Sequence, residues 1–267
     1  MSKILIIILS FFIWVSCLSQ KYSFIPFSTA EGLTQSQVSS IVQDDKGYLW
    51  IGTLGGLAKF NGGDFETFSS EDGLLNNRIS SLAIIDHDLW IGHEGGASLY
   101  KNGKFKKWKI AQDEKVSNIR SIVKFNDTIY VASHSGLFKI IGDKILKVQD
   151  QDNYLNHIRS VLIIDNKAFF ATMEGVFYTS DFKKIEKVND LFNVNTSGLA
   201  LKNDELIITS YFEGVYSLKL KDFKVSKINV SNEENTIKGV YVDSKQNIWY
   251  NTNEGIIKVD IAGSKIL

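Results

Sequence analysis

The chain has 267 residues, of which 44% are hydrophobic, and this is enough apolar material for a large core. Its 30 Lys and Arg residues balance 30 Asp and Glu residues, so the formal net charge is zero. Nucleic-acid binding needs a concentrated positive field, and the balanced charge therefore argues against a nucleic-acid partner.

The first 20 residues have the layout of a secretory signal peptide. Lys3 supplies a positive start, an apolar run extends from Ile4 to Val15, and small and polar residues follow up to Gln20. The run is shorter than the roughly 20 residues that span a bilayer. We therefore predict cleavage near Gln20, export to the periplasm and no membrane span in the mature chain. The alternative is an uncleaved anchor.

Cys17 lies inside this segment and is the one cysteine of the chain. The mature protein would then have no disulfide and no cysteine ligand. Val15, Ser16 and Cys17 resemble the end of a bacterial lipobox, although Trp14 is bulky for such a motif. Lipidation of Cys17, which would anchor the protein to a membrane, is the alternative to plain cleavage.

A repeat of about forty residues dominates the rest of the sequence. Six glycines follow one another at intervals of 40, 40, 39, 39 and 41 residues, namely Gly56, Gly96, Gly136, Gly175, Gly214 and Gly255. A large apolar residue stands six positions before each of them, namely Trp50, Trp90, Tyr130, Phe169, Ile208 and Trp249. Such a fixed period is typical of repeat architectures.

Each copy has the pattern of four short strands joined by turns. In the first copy, alternating and β-branched stretches are separated by the turn clusters DDKG, LGG and NGGD. Four antiparallel strands per repeat predict an all-β fold, a β-propeller with six four-stranded blades in residues 21–267. The predicted blade cores are 38–68, 79–108, 119–148, 158–188, 197–228 and 237–261.

The sixth copy lacks a recognisable fourth strand, and a matching segment precedes the first copy. Phe24 and Phe27 match Phe65 and Phe68 at an offset of 41 residues. We therefore predict that residues 22–28 form the outermost strand of blade six and close the ring, which removes two exposed sheet edges. The alternative is a fragment of a longer propeller.

Residues 32–68 resemble the two-component regulator propeller repeat. Trp50-Ile51-Gly52-Thr53 followed by Gly56-Leu57 fits the motif, and Trp90-Ile91-Gly92 repeats it. The resemblance implies the extracytoplasmic sensor part of hybrid two-component receptors, which respond to ligands that are often glycans. Such receptors carry many more repeats, a membrane helix and a kinase. This chain therefore resembles the sensor module alone, either free-standing or as the remnant of a truncated receptor.

The turns after the second strands and the loops after the fourth strands should meet at one end of the propeller, where a ligand would bind. The candidate ligand-binding residues in these segments are Arg78, His93, Glu94, Asn118, His134, His157, Glu174, Tyr211, Glu213 and Glu254. Arg120 and Arg159 occupy matching positions at the start of inner strands, where we expect them to pair with nearby carboxylates rather than to attract anions.

We predict no catalytic residue, no metal and no cofactor. His93 and His134 stand in adjacent copies and could act as metal ligands or as an acid–base pair in a propeller lyase, but no ligand spacing or nucleophile motif supports this. The leading hypothesis is a non-enzymatic sensor that binds a glycan or small molecule and acts through a separate membrane receptor or kinase. The alternative is a scaffold for protein interactions.

Overall fold

The structure is a computed structural model that describes residues 25–110, 118–150, 152–228, 236–260 and 265–266. The predicted signal peptide, Cys17 and residues 22–24 lie outside the described residues. Twenty-four strands are grouped into six sheets of four antiparallel strands each. This arrangement confirms the prediction of an all-β propeller with six four-stranded blades.

Blades one to three follow the chain from the innermost strand outwards. Blade one contains β1 (Val38–Gln43), β2 (Leu49–Thr53), β3 (Leu57–Phe60) and β4 (Phe65–Phe68). Blade two contains β5 (Ile79–Ile85), β6 (Asp88–His93), β7 (Gly96–Lys101) and β8 (Lys104–Lys109). Blade three contains β9 (Ile119–Phe125), β10 (Thr128–Ser133), β11 (Gly136–Ile141) and β12 (Lys144–Lys147).

Blades four to six repeat the same order. Blade four contains β13 (Ser160–Ile164), β14 (Lys167–Thr172), β15 (Gly175–Thr179) and β16 (Glu186–Lys187). Blade five contains β17 (Thr196–Lys202), β18 (Glu205–Ser210), β19 (Val215–Lys219) and β20 (Val225–Ile228). Blade six contains β21 (Ile237–Val242), β22 (Ile248–Thr252), β23 (Ile256–Val259) and β24 (Lys265–Ile266). Two 3₁₀ turns, Thr29–Glu31 and Asn189–Leu191, complete the described elements.

The core lies between blades rather than within one central cavity. Ile79, at the start of the inner strand of blade two, is fully buried against Gly52 of blade one. A Cβ added at Gly52 would lie 2.5 Å from Cγ2 of Ile79, so the glycine leaves the space that the isoleucine fills. Ile119 packs against Gly92 in the same way one blade further on. Hydrophobic clusters of this kind join each of the five successive pairs of blades.

In blade five, the large apolar residue of the second strand lies one position earlier in the chain than the spacing of six residues before the glycine predicts. Gly198 pairs with Thr209 and Leu199 pairs with Ile208, so Ile207, not Ile208, corresponds to Trp90 of blade two. Ile207 is buried in the cluster between blades five and six. The turn that follows β18 is one residue longer than the turn that follows β6, and counting back from Gly214 therefore gives the wrong residue.

The prediction that residues 22–28 complete blade six is wrong. The fourth position of the sixth sheet is held by β24, whose Lys265 pairs with Val259 of β23. Residues 25–28 form no strand, and the Phe27 ring lies 5.0 Å from that of Phe60 in blade one. Register alone relates this segment to a fourth strand, but it does not identify the sheet that the strand belongs to.

The ring of blades is open between blade six and blade one. The inner strands contact one another in the order β1, β5, β9, β13, β17 and β21, and within the described residues no comparable contact connects β21 back to β1. Leu57 and its equivalents in blades two to five are at most 1% exposed, whereas the equivalent residue of blade six, Ile256, is 63% exposed. Leu82 and its equivalents in blades three to five are at most 8% exposed, whereas the equivalent residue of blade one, Ile41, is 57% exposed.

This difference in exposure predicts that replacing the equivalent residues Leu57 and Ile256 by alanine lowers the free energy of unfolding by different amounts. Leu57→Ala should destabilise the protein by about 2–5 kcal/mol, because it opens a cavity between blades one and two. Ile256→Ala should cost less than about 1 kcal/mol, because the side chain is already in water. Urea unfolding of both variants measures the difference. Equal losses would mean that blade six is covered in solution.

Candidate functional site

The turns after the second strands and the loops between blades meet at one end of the propeller, as the sequence predicts. His157 donates its backbone N–H to the carbonyl oxygen of His134, and Asn193 donates to that of Glu174 in the next blade. Tyr211 donates to the carbonyl oxygen of Asn195. Because these turns are hydrogen-bonded to the loops between neighbouring blades, blades three to five are connected along this end as a rim.

Four nitrogen-rich side chains and one tyrosine form a cluster on this rim in blades three to five. The guanidinium carbon of Arg159 lies 4.3 Å from the centre of the Tyr211 ring, a stacking contact between a cation and an aromatic face. The rings of His134 and His157 have their centres 5.7 Å apart. We call Arg120, His134, His157, Arg159 and Tyr211 the basic cluster.

The electrostatics of the basic cluster are those of like charges held together. Burial lowers the pKa of His134, and the positive charges of Arg120, Arg159 and His157 lower it further. Burial also lowers the pKa of Arg159, while Tyr211 opposes this effect and Arg120 adds to it. A group that is both partly desolvated and surrounded by cations favours an anion beside it.

The two inner-strand arginines are not paired with carboxylates, contrary to the expectation from the sequence. Of the three arginines, Arg78 forms an ion pair in the described part of the chain, with its Nε 3.3 Å from Oε2 of Glu94. Neither Arg120 nor Arg159 forms an ion pair with a carboxylate among the described residues. The buried Nε of Arg159 also has no hydrogen-bond partner among the described residues. Both arginines follow a buried isoleucine at equivalent positions, and no other blade supplies an acid at that position.

The position shared by Arg120 and Arg159 explains why they converge. From blade two onwards this position follows a buried residue at the start of the inner strand. Its occupants in the six blades are Ser39, Ser80, Arg120, Arg159, Ser197 and Lys238. Inner strands β9 and β13 lie side by side, since the Ser121 hydroxyl donates to the carbonyl oxygen of Val161 at 3.4 Å. Three of the six positions are therefore basic and three are hydroxyl-bearing.

A second group of predicted residues is brought together beside blades two and three. Glu94 forms an isolated β-bridge with Asn118 and an ion pair with Arg78. Both charged side chains of this pair are about half exposed, so the pair is screened by solvent and holds the rim more than it stores binding energy.

The remaining predicted acids do not join the basic cluster. Glu174 and Glu254 are exposed turn residues whose backbone N–H groups are bound by the hydroxyls of Thr172 and Thr252. Glu213 is half-buried and has one carboxylate oxygen without a partner among the described residues. Of the ten predicted residues, the structure thus places three in the basic cluster (His134, His157 and Tyr211), three together beside blades two and three (Arg78, Glu94 and Asn118) and three acids apart from both (Glu174, Glu213 and Glu254).

His93 is not on the accessible rim. Its side chain is fully buried, and its Nε2 lies 2.9 Å from the Ser98 hydroxyl within blade two. Burial lowers the pKa of His93 to about 4, and Lys107 acts in the same direction. The equivalent residues in the other blades are the hydroxyl-bearing Thr53, Ser133, Thr172, Ser210 and Thr252. His93 therefore takes the place of a turn-closing hydroxyl, which pattern reading within a single copy does not reveal.

Within the described ranges, no three histidine, cysteine or acidic side chains come together as a metal site. The described residues also contain no helix whose length and apolar character would allow it to cross a bilayer.

Comparison with known proteins agrees with the repeat pattern. Residues 32–55 match the family model of the two-component regulator propeller. A segment of 64 residues is 41% identical to histidine kinase P4 of Formosa agariphila, and the match covers 23% of this chain and 5% of the kinase. The resemblance to the regulator propeller repeat is thereby confirmed. The chain spans only a small part of this relative.

Solved structures share the fold at low identity. The extracellular domain of a hybrid two-component system from B. thetaiotaomicron matches with a TM-score of 0.57 and 18% identity, over 88% of this chain and 41% of that domain. Virginiamycin B lyase from Staphylococcus aureus matches with a TM-score of 0.71 and 15% identity, over 86% of this chain and 83% of the lyase. At such identities the likeness extends to the fold alone.

The buried histidine predicts an acid-sensitive step in stability. The pKa of His93 is lower in the folded chain than in the unfolded chain, so the unfolded state takes up a proton first as the pH falls. The contribution of neutral His93 to the free energy of unfolding is therefore complete above about pH 6.5 and is lost as the pH falls to about 4. The free energy of unfolding should decrease by about 2–3 kcal/mol over this interval.

The variant His93→Thr, which restores the residue type found at this position in other blades, should reduce that loss. The free energy of unfolding, followed by urea titration at pH 7 and pH 4.5, measures the effect. His87→Asn serves as the control, because Asp45 raises the pKa of this exposed histidine and its removal should not reduce the loss of stability in acid. If both variants lose as much stability as the wild type, His93 is not the responsible group.

Proposed function

We propose that this chain is a non-enzymatic recognition module of two-component-type signalling that acts outside the cytoplasmic membrane. Its ligand site is the basic cluster, and its ligand is a small molecule or glycan that carries a carboxylate or sulfate group. The observation that carries this proposal is the pair Arg120 and Arg159, which have no described carboxylate partner, whereas Arg78 on the same rim is paired with Glu94.

The chemistry of the cluster favours an acidic, partly cyclic ligand. A guanidinium group binds carboxylate or sulfate through two parallel N–H···O bonds, and such charge-assisted bonds are stronger than neutral ones. The ring of Tyr211 already stacks on Arg159 and would limit the rotation of the guanidinium group. The backbone bonds that hold the rim reduce the ordering cost of binding.

The signalling partner in this proposal is a membrane receptor or kinase that reads the occupied rim. The regulator propeller match and the kinase relative support this role. Export to the periplasm is part of this proposal, and the layout of the first 20 residues supports it. The likeness to a lyase is one of fold, and the buried His93, with a pKa of about 4, is poorly suited to serve as an acid–base partner for His134 at neutral pH.

The proposal is tested with matched acidic and neutral oligosaccharides. Oligogalacturonates and sulfated oligosaccharides should raise the melting temperature of the full chain, whereas neutral oligosaccharides of equal length should not. The affinity should fall as the salt concentration rises, because the contact is largely electrostatic.

Variants locate the site. Arg159→Gln and Arg120→Gln should each weaken binding by about 10–100-fold, the range of one charge-assisted hydrogen bond. Arg78→Gln, which removes the paired arginine of the same rim, should change the affinity by less than about threefold. An equal response to neutral sugars, or an equal loss in Arg78→Gln, contradicts an anion site at the basic cluster.

A further inference from the structure

The turn that follows β18 in blade five is longer than the corresponding turns of the other blades. Three chain positions separate Thr53 from Gly56 and their equivalents elsewhere, whereas four separate Ser210 from Gly214. The same backbone bond closes both kinds of turn. The Ser210 N–H donates to the Gly214 carbonyl oxygen at 2.9 Å, and the Thr53 N–H donates to that of Gly56 at 3.0 Å. The additional residue therefore lies at the tip of the turn. Insertions in repeat proteins often mark the binding face.

The tip of this turn presents an aromatic side chain to solvent beside the basic cluster. Phe212 is 75% exposed, and the centre of its ring lies 6.2 Å from that of Tyr211. The Tyr211 ring in turn stacks on the guanidinium group of Arg159 at 4.3 Å. Arg159, Tyr211 and Phe212 therefore follow one another across the rim, from a cation to an uncovered apolar ring.

Two further apolar side chains are exposed on the same part of the rim. Met173 lies in the corresponding turn of blade four, and Phe192 lies in the loop that connects blades four and five. This loop is bonded to both turns, through the backbone N–H of Asn193 in blade four and the carbonyl oxygen of Asn195 in blade five. We call Met173, Phe192 and Phe212 the apolar patch.

The charges around the apolar patch favour one orientation of a ligand. Arg159 lies at one end, whereas Glu174 and Glu213 adjoin the patch within the two turns. Lys187 lies over the Phe192 ring, with its Nζ 4.5 Å from the ring centre, and this leaves Phe212 as the more open ring. An acidic group is therefore favoured at the arginine and disfavoured beside Phe212. A mostly apolar lining with few polar groups is typical of small-molecule sites.

From this arrangement we infer that the ligand of the basic cluster carries a ring with an apolar face next to its acidic group. Phe212 is then a specificity-determining residue that packs against this ring. The inference rests on the proposed anion site and adds the part of the ligand that the arginines do not contact. An aromatic acid and a uronic acid share this chemistry. Packing of the ring on Phe212 would remove apolar surface of both partners from water and add a stacking contact.

The test compares small ligands of the full chain at pH 7 and low ionic strength, with dissociation constants measured by NMR titration. Acetate has the acidic group alone, whereas benzoate joins it to an aromatic ring and galacturonate joins it to a sugar ring. Benzamide has the aromatic ring without the charge. The variant Phe212→Ser removes the open ring of the apolar patch. Tyr241→Ser is the matched control, because it removes an aromatic side chain that is 64% exposed on blade six.

We expect benzoate to bind about tenfold more tightly than acetate. Phe212→Ser should abolish this gain and leave the affinity for acetate within about twofold of the wild type, because the arginines are intact. Phe212→Tyr, which keeps the ring, should retain the gain, and Tyr241→Ser should change neither affinity. A sugar as the natural ring predicts that galacturonate has a gain over acetate that Phe212→Ser abolishes, whereas an aromatic ring predicts that benzoate alone has it.

The results that would overturn the inference differ from those that would overturn the anion site. If acetate, benzoate and galacturonate bind equally tightly, or if Phe212→Ser and Tyr241→Ser have equal effects, the apolar patch is not part of the ligand site, although the anion site stands. If benzamide binds as tightly as benzoate, the patch takes neutral rings independently of the basic cluster. If none of the acids binds a chain whose melting temperature shows it to be folded, the anion site fails and the inference fails with it.

Discussion

The structure depends on one repeated contact: from blade two onwards, the residue at the start of the inner strand is buried against the preceding blade. This residue is an isoleucine in blades two, three, four and six, and Thr196 in blade five. Where the facing residue is Gly52 or Gly92, the isoleucine enters space that any Cβ would occupy. The sheets thus approach closely near the axis, and the large side chains of the second strands fill the wider space outside them. Because each blade buries its faces only against neighbours, stability is a property of the array rather than of a blade.

The same contact sets the geometry of the rim. An inner strand that is fixed by its buried first residue must present the next residue at the same height in every blade. Arg120 and Arg159 are neighbours for this reason, although 39 residues separate them in the chain. Their mutual repulsion is tolerated because the buried isoleucines, Ile119 and Ile158, determine where the strands lie. A cluster of like charges maintained by packing is a common basis for ligand sites.

Much of this could be predicted from sequence, and the errors have physical causes. The period of the glycines and the apolar residues predicts the blades, since both follow from the strand contacts that repeat. It does not identify Ile207 as the large apolar residue of blade five, because the turn after β18 is one residue longer and counting back from Gly214 reaches Ile208 instead. It does not predict the burial of His93, because that requires alignment with the hydroxyl residues of other blades. The unpaired arginines were missed because pairing depends on side chains from different blades.

The segment around Phe27 illustrates what a repeat pattern can and cannot determine. The offset of 41 residues relates Phe27 to Phe68, and the ring of Phe27 contacts blade one as the ring of Phe68 contacts blade two. A closed ring of six was the simplest assembly, but the sixth sheet already has four strands. The basic cluster lies in blades three to five, away from the open side. An acidic ligand bound at the basic cluster would therefore contact different residues from those that line the open side.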